Sequence, residues 1–247
     1  MYETRELSAE TWPDFERLFS GGHGWDHCWC MAFQRGPRPS RQEFRTRAEV
    51  GPRNHQAKKA LVDQGQAHGI LVYADGEPIG WCQYGSSAEL HGRGQPGDAA
   101  KETGGQPVAT PAETSGQPHV NAAAEPSDLV WRVTCFVVDR RHRRRGVAGL
   151  ALRAALEAIR KKGGGVVEAY PVACWTHGRN AAPGAVFVQG VGPVAPAWGG
   201  FGNVSTSGIA SMFEKQSFEA IAVCSQPSAR VHSYGAQGCH VIMRRTI

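Results

Sequence analysis

The chain has 247 residues, of which 41% are apolar and 20% charged, a globular composition and neither a disordered nor a membrane one. Its formal net charge of +5 is too mild to argue by itself for nucleic acid. No apolar run reaches the roughly 18 residues of a membrane-spanning helix, and the start MYETRELSAETWPDF lacks the apolar middle of a signal peptide, so a cytoplasmic chain without a membrane partner is expected.

Residues 2–7 predict a short edge strand. Ser8 is a natural N-cap for a helix that carries Trp12, Phe15, Leu18 and Phe19 on one face and stops at Gly21-Gly22. The stretch 23–35 holds Trp25, His27, Cys28, Trp29, Cys30, Met31 and Phe33, more apolar than a solvated loop. A second helix is expected over 54–64. Residues 69–84 then give two apolar runs joined by Asp75-Gly76, a strong hairpin signal. Over 86–127 the sequence turns to Gly, Pro, Ala, Thr, Glu and Gln. Such a stretch buries too little surface to offset its ordering entropy, which predicts a disordered insertion. The run LVWRVTCFVV, 129–138, reads as a central strand. A helix over 147–162 has Leu152, Ala155, Leu156 and Ile159 on its core stripe and Gly163 as its stop, and a strand over 165–170 ends at Pro171. An irregular Gly/Pro-rich insertion is expected over 173–203, followed by a short helix at 209–216 and strands at 218–223 and 240–247. The whole of 1–247 reads as one α/β (α+β) domain. Its seven cysteines, scattered and odd in number, are expected as free thiols.

Between the central strand and the long helix lies VDRRHRRRGVAG, residues 138–149, with five arginines in six positions. A strand delivering the chain through a tight turn into a helix leaves helix-N-terminal amides pointing at one spot, and the helix dipole adds positive potential there. An anion fits, and small residues at Gly146 and Ala148 let a pyrophosphate approach the backbone.

Arg143-Arg144-Arg145-Gly146-Val147-Ala148 resembles the Gln/Arg-x-x-Gly-x-Gly/Ala signature of the GNAT superfamily of N-acetyltransferases, and Met212-Phe213-Glu214-Lys215-Gln216-Ser217-Phe218 resembles that family's Leu-Tyr-Glu-Lys-x-Gly-Phe. Cys28-Trp29-Cys30-Met31, 76–82, 166–171 and 211–214 resemble a narrower bacterial-type branch. The resemblance implies a GNAT fold: a mixed sheet of about six or seven strands with a splayed central strand pair, flanked by helices. It implies acetyl-CoA as co-substrate, with the backbone of Phe136, Val137 and Val138 holding the pantetheine arm. Arg143, Arg144, Arg145, Gly146, Val147, Ala148 and Gly149 would cradle the pyrophosphate. It implies N-acetyl transfer to a primary amine of a small molecule or peptide.

An alkylamine with a pKa near 10.4 must lose a proton before attack. Arg132 stands where histone-type members carry a glutamate, and Phe213 where the family usually has a tyrosine acid. Glu168 is the remaining carboxylate for a base, against pairing with an arginine or facing solvent, and His23, His27 and His142 are other bases. Tyr170 is an acid candidate, against plain packing. Trp25, Cys28, Trp29 and Arg132 are the expected substrate-binding residues, against Trp25, Cys28 and Trp29 packing as core. Cys28-x-Cys30 with His23 and His27 lacks familiar zinc spacing, so no metal is expected. Two rivals stand beside the enzyme: an acyl-CoA binder that transfers nothing, and a basic nucleic-acid binder. Oligomeric state stays open, a homodimer included.

Overall fold

The computed structural model describes residues 1–21, 25–34, 47–91, 129–175, 186–188, 192–194, 208–223 and 238–247. Strands β1 (Tyr2–Glu6), β2 (His68–Ala74), β3 (Glu77–Ser86) and β4 (Val130–Val138) form an antiparallel run. β5 (Val166–Ala169) pairs with β4 in parallel. Beyond it, β10 (Gly238–Thr246) pairs antiparallel with β5, with β6 (Val172–Trp175) and with β9 (Glu219–Val223), which makes an eight-stranded sheet. The short strands β7 (Val186–Val188) and β8 (Gly192–Val194) pair separately.

Strand alternation sends successive side chains to opposite faces and so builds two cores. Ile70, Val72, Trp131, Val133 and Phe136 pack under helix α3 (Val147–Lys161), through Leu152, Ala155, Leu156 and Ile159. Leu71, Tyr73, Trp81, Cys135 and Val137 pack on the other face, with helix α1 (Trp12–Ser20) through Trp12, Phe15, Leu18 and Phe19. Helix α2 (Arg47–Asp63) adds Val62 to that face. Helix α4 (Ala210–Glu214) buries Ala210 and Phe213.

Two features of β4 position the site. The register with β3 runs Tyr84 to Val133 and then Gln83 to Cys135, so Thr134 is an extra residue, a β-bulge. On its other edge β4 pairs with β5 from Val130 to Val133 only. Past the bulge the two parallel strands part, and residues 134–138 have no strand partner on that edge among the described residues. This is the splayed central pair that the resemblance implied.

The structure moves several boundaries. α1 starts at Trp12, with Thr11 and not Ser8 at its N-cap, because Ser8 and Thr11 bond each other: Ser8 N donates to Thr11 Oγ1 at 2.8 Å and Thr11 N to Ser8 Oγ at 3.4 Å. α2 begins at Arg47, ahead of the expected 54, and carries Pro52 inside the helix, beyond its first turn, where the ring removes one i to i−4 bond. Residues 86–91, the first of the expected insertion, belong to the fold: Ser86 closes β3, and Leu90 is buried and bridged to Gln34. The rest of that insertion, 92–127, lies outside the described residues. The expected irregular stretch 173–203 contains strand β6 and the β7/β8 pair, and the sheet has eight strands against the six or seven expected. Short segments with no apolar period carry no strand signal until a neighbouring edge pairs with them.

Candidate active site

The arginine run forms a 3-10 turn, Arg140–His142, capped by Asp139, whose carboxylate accepts from the Arg141 amide at 2.8 Å. The same buried carboxylate holds the Arg141 guanidinium, with Nη2 to Oδ2 at 2.8 Å and Nε to Oδ1 at 3.3 Å. Arg143 Nε donates to the Val138 carbonyl at 3.1 Å and so ties the end of β4 to the turn. Two of the five arginines thus shape the loop. Arg140, Arg144 and Arg145 are exposed around it.

Gly146 is the N-cap of α3, with φ at +79°, left-handed backbone that glycine adopts without strain. A Cβ there would meet nothing within 4 Å, and one at Gly149 only Arg153 Nη1 at 3.9 Å. The first intrahelical bond, Leu150 N to Gly146 O, spans 2.9 Å. The amides of Val147, Ala148 and Gly149 lie in the first turn, where an α-helix provides no internal acceptor. The end of the open half of β4 thus meets a glycine turn with open space over it and positive charge around it.

At the last rungs before the splay, Arg132, Glu168 and Arg244 sit side by side on β4, β5 and β10. Glu168 Oε1 accepts from Arg244 Nη2 at 2.6 Å and Nε at 2.9 Å; Oε2 accepts from the Tyr170 hydroxyl at 2.8 Å and lies 3.5 Å from Arg132 Nε. Arg132 Nε also donates to Tyr170 Oη at 3.1 Å and Arg132 Nη1 to the Leu90 carbonyl at 2.6 Å. Burial alone would push the Glu168 carboxyl up, but bonds from Arg244 and Tyr170 and the charges of both arginines outweigh it and hold the carboxyl below its ordinary value. Burial and the Glu168 charge push the Tyr170 hydroxyl well up, so it keeps its proton.

Glu168 and Tyr170 therefore stand together, with Arg132 bonded inside their network. Trp29 is buried, stacked on Phe19 at 5.7 Å and on Trp12 at 6.5 Å and edge-on to His55 at 4.5 Å, while Trp25 and Cys28 are half-buried beside it. His142 Nδ1 and His27 Nδ1 are buried with no hydrogen-bond partner among the described residues. Phe213 is buried, its ring edge-on to Phe136 at 6.0 Å and to Phe218 at 5.2 Å.

Sequence patterns gave no notice of a second polar group on the α1 face of the sheet. Thr134 Oγ1 donates to Gln83 Oε1 at 3.2 Å, and Gln83 Nε2 to Gln34 Oε1 at 3.2 Å, which also accepts from Lys58 Nζ at 3.3 Å. All four side chains are buried, Lys58 completely. Burial pulls the Lys58 pKa down, and nearby Cys30 only partly offsets this. The unfolded chain holds this proton more tightly, so stability is gained as pH rises from the folded pKa toward the unfolded value near 10.4. Lys58→Met keeps the stem and removes the buried amine; it should stabilise the fold by about 1 kcal/mol or more, raising Tm by roughly 2–4 °C at pH 7 in thermal melts. A Tm below wild type would mean that the amine is compensated. Arg244 and Lys58 were missed because alternation shows which face a residue takes but not what stands opposite. The one available signal for Lys58 was its place four residues before Val62, on the stripe of α2 that is buried.

No helix among the described residues is long and apolar enough to cross a membrane. The family model described as Acetyltransferase (GNAT) family matches residues 32–181. Among solved structures the chain is similar to a GNAT-family acetyltransferase from Streptococcus pneumoniae, with 10% identity, TM-score 0.45 and 100% of both chains covered. It is similar to a GNAT-family protein from Desulfovibrio desulfuricans, with 14% identity, TM-score 0.41, and 100% of this chain and 99% of that one covered. The ribosomal-protein-S18-alanine N-acetyltransferase of Escherichia coli is a third, with 8% identity, TM-score 0.43, and 100% and 94% covered. Among curated proteins the sequence finds no match. A splayed central strand pair, a glycine turn opening α3 and a family model covering most of the chain agree, and the chain belongs to the GNAT acetyltransferase family.

Proposed function

We propose that the chain is an N-acetyltransferase that moves the acetyl group of acetyl-CoA to a primary amine of a small molecule or peptide by direct attack. The observation that carries this reading is the edge of β4 that has no strand partner among the described residues, running straight into the left-handed glycine at the head of α3. The residues fit the co-substrate: the space over Gly146 is open, and the charge around it is positive. The thioester supplies the activated acetyl group. The backbone of Phe136, Val137 and Val138 bonds the arm as an added strand, and an amide on that edge polarises the carbonyl. Arg143, Arg144, Arg145 and the amides of Gly146, Val147, Ala148 and Gly149 hold the diphosphate.

Tyr170, which keeps its proton, is the donor for the leaving sulfur once its O–H turns away from Glu168 Oε2, which accepts it at 2.8 Å, while Glu168 stays ionised between its arginines. Trp25, Cys28 and Trp29 form the acceptor side, and Arg132 fixes Tyr170. A second reading, acyl-CoA binding without transfer, is favoured by Phe213 buried at the usual tyrosine position and by the ion-paired Glu168.

Calorimetry with acetyl-CoA and thiol release across a panel of small amines, lysine peptides and N-terminal peptides decide between them. Transfer predicts heat with acetyl-CoA and amine-dependent thiol release; heat without release leaves the binder, and no heat ends both readings. Tyr170→Phe should lower kcat about 10- to 100-fold with acetyl-CoA affinity unchanged. An unchanged kcat would assign the donor elsewhere.

A further inference from the structure

We propose that Cys30 and Cys135 are a site of reversible oxidation, closed to an intramolecular disulfide by a hydroperoxide. Both are free cysteines and both are buried. Their sulfurs lie 2.9 Å apart although the residues are 105 positions apart in sequence. That separation is within about 1 Å of a sulfur–sulfur bond, which is near 2.05 Å, so closing it requires only a small displacement.

The surroundings hold the pair in register. Trp81 Nε1 donates to Cys30 Sγ at 3.2 Å and fixes that sulfur. Cys30 sits in left-handed backbone, φ +50°, directly after Trp29 at φ +47°. Side chains other than glycine adopt such backbone at a cost, so tertiary contacts hold this turn. Cys135 follows the Thr134 bulge on the open half of β4. The other described thiols are placed differently: Cys82 packs in the core under α3, on the opposite face, and Cys28 is half-buried, with its thiol pushed up by burial to about 11. Burial pushes the Cys30 thiol up as well, while Lys58 pulls the other way. The pair should therefore oxidise more slowly than an exposed thiol.

The step balances. One thiolate attacks the terminal oxygen of the hydroperoxide, the O–O bond breaks and the alcohol, or water from hydrogen peroxide, leaves with a proton. The second thiol attacks the resulting sulfenic sulfur, the S–O bond breaks and water leaves. Two electrons pass from the dithiol to the peroxide, and an external dithiol returns them.

The proposal is independent of the transferase reading, because its readout is covalent. The full chain is treated with hydrogen peroxide, unfolded in excess alkylating agent without reduction, and mapped by mass spectrometry. The expected result is a peptide linking Cys30 to Cys135, with Tm raised by about 5 °C or more because the bridge closes a long loop, and both changes reversed by dithiothreitol. Cys30→Ser and Cys135→Ser should each lose the link and the rise in Tm. Should either variant fail to fold, the wild-type map alone decides. A Cys28–Cys30 link, sulfinic acid at either sulfur, or both thiols still open to alkylation after peroxide would overturn the proposal.

Discussion

Gly146→Val is expected to weaken acetyl-CoA binding about 100-fold. Its backbone lies at φ +79° and no atom of the described residues stands within 4 Å of a Cβ placed there, so the added methyls fill the space the diphosphate needs. Losing two charge-assisted bonds of roughly 1.5 kcal/mol each amounts to about 3 kcal/mol, or two orders of magnitude in Kd. Valine also strains left-handed backbone by roughly 1–2 kcal/mol, which would lower Tm. Gly146→Asn separates the two effects, since asparagine accepts this backbone but still occupies the space. Calorimetry should find affinity lost in both variants and Tm lowered chiefly in the valine. Undiminished affinity in the asparagine variant would remove the turn from the binding site.

Glu168→Ala should cost about 3 kcal/mol and lower Tm by roughly 6–12 °C at pH 7. The carboxylate lies between Arg132, whose side chain is 4% exposed, and Arg244, which is 51% exposed. Removing it leaves the Arg132 guanidinium buried without its counter-charge, and this dominates the loss, because Arg244 can turn to water. The pH dependence follows from the depressed folded pKa of Glu168. Its contribution is fully present above the unfolded carboxyl value near 4.3 and is lost as pH falls through the lower folded value. Wild type should therefore lose stability on acidification across that window, and the alanine variant should lose less. Melts of both proteins at pH 7 and pH 3 check this; equal acid losses, or a variant within about 2 °C of wild type at pH 7, would show that the ladder does not hold the strands.

The sequence by itself determined the β2–β3 hairpin, through Asp75-Gly76, and the central strand, glycine turn and helix in succession. These features are local: left-handed backbone, a helical stripe and a run of β-branched residues act within a few positions of themselves. The same local signals placed Arg143 to Gly149 at the head of α3. Tertiary structure decided everything that depends on a neighbour distant in sequence. The bulge at Thr134 is visible only against β3, and the splay only where β5 stops pairing at Val133. The neighbours of Arg132, Glu168 on β5 and Arg244 on β10, and the stacking of α1 on Trp29 appear only once strands and helix are assembled. Lys58 lay unnoticed in a polar helix, and the contact between Cys30 and Cys135 joins segments 105 positions apart. Register and burial are set by which strand edges and helix faces meet, and a one-dimensional pattern records each face but not its partner.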